Sequence, residues 1–260
     1  MTAVQSNYAR IAEAYDGRWA DVLAVHAREL ADRLPLTSAR RVAELGCGPG
    51  RLLDHLATLA PQAQVLGADV TEAMIRRAPA RYGRVVADVQ ALPFADGSLD
   101  AVVMPFVLFH LPDLPLALGA VRRALATSGS FGAVTWSARD PHPAYDVWVR
   151  VINQHDAPED PSPQLPSNGV TSDPEQLAKA LTASRFAEVD VTVERFRREV
   201  TAEQFLAHSL VIGSMARRLD LLPAERRTAC VAAAERALAE LEPEDFVESG
   251  TLLFSTARAA

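Results

Sequence analysis

The sequence predicts an α/β fold: a largely parallel sheet with helices on both of its faces. Three observations carry this. Between residues 41 and 136, short apolar runs alternate with segments of helical period. At one junction, ELGCGPG (44–50), three glycines on alternate positions directly follow such a run. The composition, 49% hydrophobic and 23% charged over 260 residues, is that of a chain able to bury a sizeable core.

The elements follow in order. Residues 8–34 place Ile11, Ala14, Tyr15, Val22, Val25, Leu30 and Leu34 at helical spacing and stop at Pro35, which predicts one or two helices. RVAELG (41–46) reads as a short buried strand, and Leu52, Leu53, Leu56 and Leu59 mark a helix over 50–59. A second strand is predicted over 64–70, then a helix over 71–82 with Thr71 as N-cap. A third strand covers 84–89 and a fourth 100–104. The stretch 114–129 predicts a helix closed by a C-terminal glycine, and 130–136 the fifth strand.

Composition then changes. Residues 157–174 are rich in Pro, Ser and Asp and read as a loop or mobile cover. Asp173 and Pro174 open a helix over 173–184 as N-cap and first helical residue. Residues 186–200 alternate as a strand, two helices follow near 201–219 and 223–241, and 249–259 closes as a strand. No internal repeat is present. One domain over 1–260 is expected, with N-terminal helices in 1–40, a core in 41–136, and acceptor-pocket or lid segments in 137–172 and 201–241.

Charge and cysteine usage exclude several function classes. The formal net charge is -7 and no Lys/Arg block occurs, which argues against a nucleic-acid partner. Arg195, Arg197 and Arg198 read as a solvated edge. The two cysteines, Cys47 and Cys230, suggest neither a disulfide framework nor a zinc knuckle, so a cytoplasmic, reducing location is expected. The N-terminal stretch lacks the pattern of a signal peptide, and no apolar run approaches the ~20 residues of a membrane span. A monomer or a homodimer is compatible with all of this.

The glycine turn carries the functional reading. Strand, glycines and helix together make a site where backbone can approach a ligand and helix N–H groups lie free. A dinucleotide fingerprint requires a third glycine at position 51, and Arg51 stands there. The spacing is instead E-x-G-x-G-x-G, with Glu44 ending the strand. Two acids follow the next two strands, Asp69 in LGADVTEAMI and Asp88 in ADVQALPFADGSLDAVV.

These stretches resemble motif I and its successors in the class I S-adenosylmethionine (SAM)-dependent methyltransferases. The branch most similar is the small-molecule, UbiE-like type 11 branch. The resemblance covers residues 40–136 well. It implies a Rossmann-like, seven-stranded, mostly parallel sheet with one antiparallel strand and helical lid additions. It also implies SAM as methyl donor, with S-adenosylhomocysteine (SAH) as product. The cofactor positions implied are Tyr15, Glu44, Gly46, Cys47, Gly48, Gly50, Asp69, Val70, Met74, Asp88, Val89 and Pro105. Asp69 would accept from the ribose hydroxyls, and Asp88 with the Val89 N–H would read the adenine.

Methyl transfer requires the nucleophile in line with the methyl and, where needed, a base for its proton. The segment after the fourth strand reads MPFVLFHLPD (104–113). It lacks the side-chain acceptor before proline that amino-directed methyltransferases carry. It resembles the LHHLPD stretch of small-molecule enzymes, with Phe109 in place of the first histidine. His110 is therefore a candidate general base; equally it caps the following helix or bonds Asp113. His142, in SARDPHPAYDVW with Tyr145 and Trp148, is the second candidate. No metal signature is present. The reading is methyl transfer to a small-molecule acceptor, at oxygen before nitrogen or carbon. The alternative is an enzyme of the same fold catalysing another reaction, such as a cyclase.

Overall fold

The computed structural model describes residues 3–162, 165 and 167–260. The described strands form one seven-stranded sheet in the order β3-β2-β1-β4-β5-β7-β6. Their ranges are β1 Arg41–Leu45, β2 Gln64–Asp69, β3 Gly83–Val86, β4 Leu99–Pro105, β5 Leu125–Arg139, β6 Phe186–Glu199 and β7 Val247–Ala259. The four pairs from β3 across to β5 are parallel. The contacts of β7 run the other way. As β5 rises through Ser130, Ala133 and Ala138, its β7 partners fall through Arg258, Ser255 and Thr251. Towards β6 the order reverses too, with Arg185 facing Ala260 and Glu188 facing Arg258. Thus β7 is the one antiparallel strand in a mostly parallel Rossmann-like sheet.

Helices α1 (Ala3–Arg18), α2 (Ala20–Asp32), α3 (Leu53–Leu59), α4 (Glu72–Ile75), α5 (Leu114–Ala124), α7 (Ser167–Thr171) and α8 (Pro174–Ala183) accompany this sheet. The central strands are apolar because both of their faces are covered. Leu45, Val102, Met104, Phe131, Leu177 and Phe186 share one buried cluster, and the Phe131 and Phe186 rings lie 5.0 Å apart. Asp100 pins the start of β4 to β1: its Oδ2 accepts the N–H groups of Arg40 and Arg41 at 2.7 and 2.9 Å.

Several boundaries differ from the sequence expectation. The helix expected over 114–129 ends at Ala124, and β5 begins at Leu125 rather than 130. Its first residues pair with β4 through a register shift between Leu99 and Ala101. Gly129 is no helix cap. A Cβ there would lie 2.9 Å from the Ala126 carbonyl and 3.2 Å from that of Asp100, so the glycine permits close strand approach. The helix expected over 71–82 is a single turn, 72–75, because Ala78 and Pro79 turn back onto the glycine loop. Thr71 occupies the N-cap position but makes no side-chain cap bond; its own N–H is held by Asp69. Asp173 and Pro174 open α8 as expected, with the Asp173 side chain accepting from Gln176 N.

The chain divides into two compact units. The first is Met1–Ala138, Gln164–Glu194 and Thr251–Ala260; the second is Arg139–Pro163 and Arg195–Gly250. The N-terminal helices and α7 thus fall in the first unit, while most of 137–172 and all of 201–241 fall in the second, which has its own buried cluster. It contains α6 (Pro143–Gln154), α9 (Ala202–Ser209), α10 (Ser214–Asp220) and α11 (Ala224–Leu238), and its core includes Trp148, Ile152, Phe205, Cys230 and Leu238. The helix expected over 201–219 is two, parted at Gly213, whose φ is 95°. Within the Pro-rich stretch 157–174, residues 163, 164 and 166 lie outside the described residues, while 167–171 form α7. Ser167 Oγ donates to the Phe109 carbonyl at 3.4 Å.

Replacing a fully buried aromatic in the first unit leaves a cavity that close packing cannot refill. Phe131→Ala is expected to lower the unfolding free energy by about 3–5 kcal/mol in a urea titration.

Candidate active site

The turn after β1 is folded by backbone bonds to β2. Gly46 N–H and Cys47 N–H both donate to the Ala68 carbonyl, at 2.7 and 3.0 Å. Gly48 N–H donates to Asp69 Oδ2 at 2.9 Å, and Thr71 N–H to Asp69 Oδ1 at 2.8 Å. Gly46, Gly48 and Gly50 all have positive φ, 72°, 53° and 76°. That conformation alone explains their type.

The space each glycine clears differs. A Cβ on Gly46 would lie 2.3 Å from Val107 Cγ2, and one on Gly50 within 3.1 Å of Leu53, Pro79 and Ala78. Those two glycines admit neighbouring protein, not ligand. A Cβ on Gly48 would meet open space, with Tyr15 Cε1 at 3.9 Å its nearest neighbour.

Around this turn lies a small cleft lined by Tyr15, Glu44, Gly46, Cys47, Gly48, Pro49, Pro105 and Phe106, with Ala20, Leu23, Ala24 and Ala27 from α2. Glu44, at the end of β1, is only 3% exposed, and its Oε2 has no hydrogen-bond partner. Burial first, then the charge of Asp69, holds its carboxyl well above the usual carboxylate range. Burial raises Asp69 too, against the pull of the Thr71 and Gly48 N–H groups. The Tyr15 hydroxyl is pushed up by burial, then by Tyr8, Asp69 and Glu44. The Cys47 thiol is raised by burial, Glu44 and Asp69. The ionisable groups of the cleft that burial shifts are thus all acids, each shifted toward its neutral form.

At the end of β4, Pro105 lines the same cleft and Phe106 adopts φ 58°, a left-handed conformation costing a bulky residue roughly 1–2 kcal/mol. Its N–H donates to Val134 O at 2.8 Å, and its ring lies 5.0 Å from Trp136. His110 closes a 3₁₀ turn over 108–110. Its Nε2 lies 3.0 Å from the Tyr8 hydroxyl of α1. The helix-capping alternative for His110 does not hold: Asp113 caps α5 by accepting from Leu116 N.

The remaining cofactor positions fall on the carboxyl ends of β2 and β3. Val70 follows Asp69, and its carbonyl accepts from the Gln5 amide at 3.2 Å. Met74 is buried in α4. Asp88 caps a 3₁₀ turn over 89–91 by accepting from Gln90 N, and Val89 is buried in the main core. Ala87 N–H donates to the Asp69 carbonyl at 3.0 Å, so the two acids stand on neighbouring strand ends. His142 belongs to the second unit. There its Nδ1 accepts from Tyr145 N at 3.0 Å, capping α6, and its ring stacks on Phe205. Trp148 is fully buried in that unit's core, so it is a packing residue.

Sequence reasoning passed over three features of the cleft and one contact outside its lining, the Tyr8–His110 bond. Arg51, noted only as a departure from glycine, binds Asp16 at 2.8 Å and Asp21 at 3.3 Å, and Arg77 also holds Asp16. The Ala20, Ala24, Ala27 stripe was readable at helical spacing. The backbone of Phe106 and the Tyr8–His110 bond carry no sequence signal. Among the described residues, no group of three or more His, Cys, Asp or Glu side chains could hold a metal ion, and no helix is long and apolar enough to cross a membrane.

The sheet order and the glycine turn are those of a Rossmann-like α/β domain. Residues 43–133 match the family model described as a methyltransferase domain. The matched stretch runs from β1 into β5. It is 35% identical over 146 residues to a malonyl-[acyl-carrier protein] O-methyltransferase of Halorhodospira halophila, covering 52% of this chain and 50% of that one. It is 36% identical over 126 residues to a demethylmenaquinone methyltransferase of Thermus thermophilus, covering 46% and 57%. The chain thus spans about half the length of these curated relatives. A similar solved structure is phosphoethanolamine N-methyltransferase 2 of Haemonchus contortus in complex with phosphomonomethylethanolamine and SAH. Its TM-score is 0.56 at 15% identity, with 99% of this chain and 60% of that one covered, a likeness of fold.

Two outcomes test the site's physics. Gly50→Ala meets packed side chains and is expected to cost about 2 kcal/mol or more, whereas Gly48→Ala costs about 1 kcal/mol of backbone strain, both read by urea unfolding. Glu44 binds its proton more tightly in the folded chain than in the unfolded one. Its contribution is full below the ordinary carboxylate pKa and is lost as pH rises through the raised value; Asp69 acts in the same direction. Glu44→Gln is therefore expected to raise the Tm at pH 8 by roughly 2–4 °C and to leave it near wild type at pH 4.

Proposed function

We propose that the chain binds SAM across the ends of β1, β2 and β3 and transfers its methyl group to a small-molecule acceptor, at oxygen. The observation that carries this reading is Glu44. It is a buried acid with an unpartnered oxygen, set beside a left-handed glycine turn at the carboxyl edge of a parallel sheet. Open α/β sheets bind ligands at that edge. The donor set suits a cofactor with a cationic amino-acid end, a ribose and an adenine.

Glu44 would face the cationic end and Asp69 the ribose hydroxyls, while the Gly48 backbone and Tyr15 lie alongside. Asp88 and the Val89 N–H would read the adenine. Asp69 is already aimed by two N–H donors, which fixes its plane before any ligand arrives. When bound, SAM supplies an electrophilic methyl on a sulfonium. The chain's own task is then orientation, exclusion of water and removal of a proton. Phe106 and Trp136 supply apolar surface beside the end of β4. His110 is the proton acceptor in this reading: the methyl acceptor's proton passes to the Tyr8 hydroxyl oxygen as the Tyr8 proton passes to His110 Nε2, to which that hydroxyl is bonded. His142 has a capping role in its own unit, so His110 is preferred.

Transfer to oxygen is supported by the name of the Halorhodospira relative, an O-methyltransferase. Binding is tested by isothermal titration with SAH. Wild type is expected to bind, and Asp69→Ala to weaken binding at least about tenfold, as the loss of one or two charge-assisted hydrogen bonds implies. Absence of wild-type binding refutes the reading.

Once a labelled-methyl screen of metabolites has identified an acceptor, His110→Ala is expected to lower kcat about 10²–10⁴-fold while leaving SAH affinity nearly intact. Unchanged turnover removes His110 from the mechanism. Transfer to RNA or protein alone overturns the acceptor class.

A further inference from the structure

We propose that cofactor binding at this site is coupled to proton release: Glu44 is a neutral acid in the free protein and ionises as the cofactor's cationic amino-acid end arrives beside it. This inference rests on the SAM-binding reading above and adds a pH dependence to it.

The argument begins with what surrounds the carboxyl. Glu44 sits on β1, between β2 and β4 in the sheet. From β2 it meets Asp69, from α1 Tyr15, and from the glycine turn Cys47, all of which form anions when they ionise. From α2 the cleft receives Ala20, Leu23, Ala24 and Ala27, and from the end of β4 Pro105 and Phe106, all apolar. Arg51 also lines the cleft, but its guanidinium is bound to Asp16 and Asp21. Among the described residues, no element packed around Glu44 thus offers it a counter-cation.

An ionised carboxylate in that position would have an unpartnered oxygen and a neighbouring negative charge, the two costliest conditions for a buried charge. Asp69 and Glu44 compete for the one negative charge this cavity tolerates. Asp69 has two N–H donors to stabilise its anion, and Glu44 Oε2 has none, so the proton stays on Glu44. The raised titration of both groups agrees with this order. A ligand ammonium changes the balance. It supplies the missing cation and donor, the carboxylate form becomes favoured, and the proton leaves to solvent. Protons and cofactor therefore compete. Affinity rises with pH, by up to about tenfold per unit while Glu44 is protonated in the free chain, and levels off above its pKa.

The test is calorimetric titration of the full chain with SAH, which carries the same α-amino group and is not consumed. Runs at one pH in phosphate, HEPES and Tris separate the buffer's ionisation enthalpy from that of binding, and the slope counts protons. Wild type is expected to release about one proton per SAH at pH 6. Release fades as pH rises, and affinity increases in step. In Glu44→Gln the release vanishes and affinity no longer depends on pH over this range.

Difference infrared spectroscopy of wild type gives a second measurement that does not depend on the variant's affinity. The protonated-carboxyl band should disappear on addition of SAH. SAH binding without proton release, or without loss of that band, overturns the proposal and leaves the SAM reading intact. Release that persists in Glu44→Gln places the proton elsewhere and overturns it as well. No binding of SAH by wild type refutes the underlying reading instead.

Discussion

One carbonyl organises the functional end of this sheet. Ala68 O accepts the N–H groups of both Gly46 and Cys47, so the chain leaving β1 is folded over the end of β2 before it enters α3. A parallel strand presents unpaired backbone groups at its carboxyl edge, and those buried under a turn must be satisfied. Here the turn satisfies them and is itself fixed. That fold-over delivers Gly48 N–H to Asp69, which in turn holds Thr71 and the start of α4. The positive φ values of the three glycines are the condition for it.

The same arrangement puts two acids where folding alone would not have them. Glu44 and Asp69 are both pushed upward by burial, and Glu44 has an oxygen without a partner. Phe106 adds backbone strain a short distance along the edge, at the end of β4. Unfavourable local choices grouped at one edge, within a sheet whose centre is uniformly apolar, are the usual mark of a site kept for binding. Around them, Arg51 and Arg77 tie Asp16 of α1 to the loop and to the segment after α4. Tyr8 reaches His110 and Gln5 reaches Val70 from the same helix.

The sheet's central strands were legible because burial on both faces makes each a short, nearly unbroken apolar run, as in RVAEL and LDAVVMP. The boundary between α5 and β5 was not. LATSG carries no strand pattern of its own and joins β5 because Leu125 pairs with Leu99 across a register shift, with Ser128 at φ 61° in the bulge. The region after β2 misled for a similar reason. TEAMIRRAPARY has helical composition, but Ala78 and Pro79 are drawn onto Gly50 after one turn. Glu44, Asp69 and Asp88 were readable as a set because strand order places the ends of β1, β2 and β3 side by side. The Tyr8–His110 pair was not, since 102 residues separate its members and each alone is an ordinary residue of its element.

By itself the sequence determined the alternation of elements, the glycine turn after β1 and the acids that follow it. These depend on local chemistry: apolar runs, glycine's freedom at positive φ, and carboxylates at strand ends. Only the tertiary structure decided what each glycine is packed against, since a Cβ on Gly46 would meet Val107 and one on Gly50 Leu53, Ala78 and Pro79, all brought there by packing from elsewhere in the chain. It also decided that His110 is paired with a tyrosine and that His142 is a helix cap in a separate unit. Likewise, the burial and lost hydrogen bond that raise Glu44 are properties of its neighbours. Those come from five separate parts of the chain that no local pattern brings together.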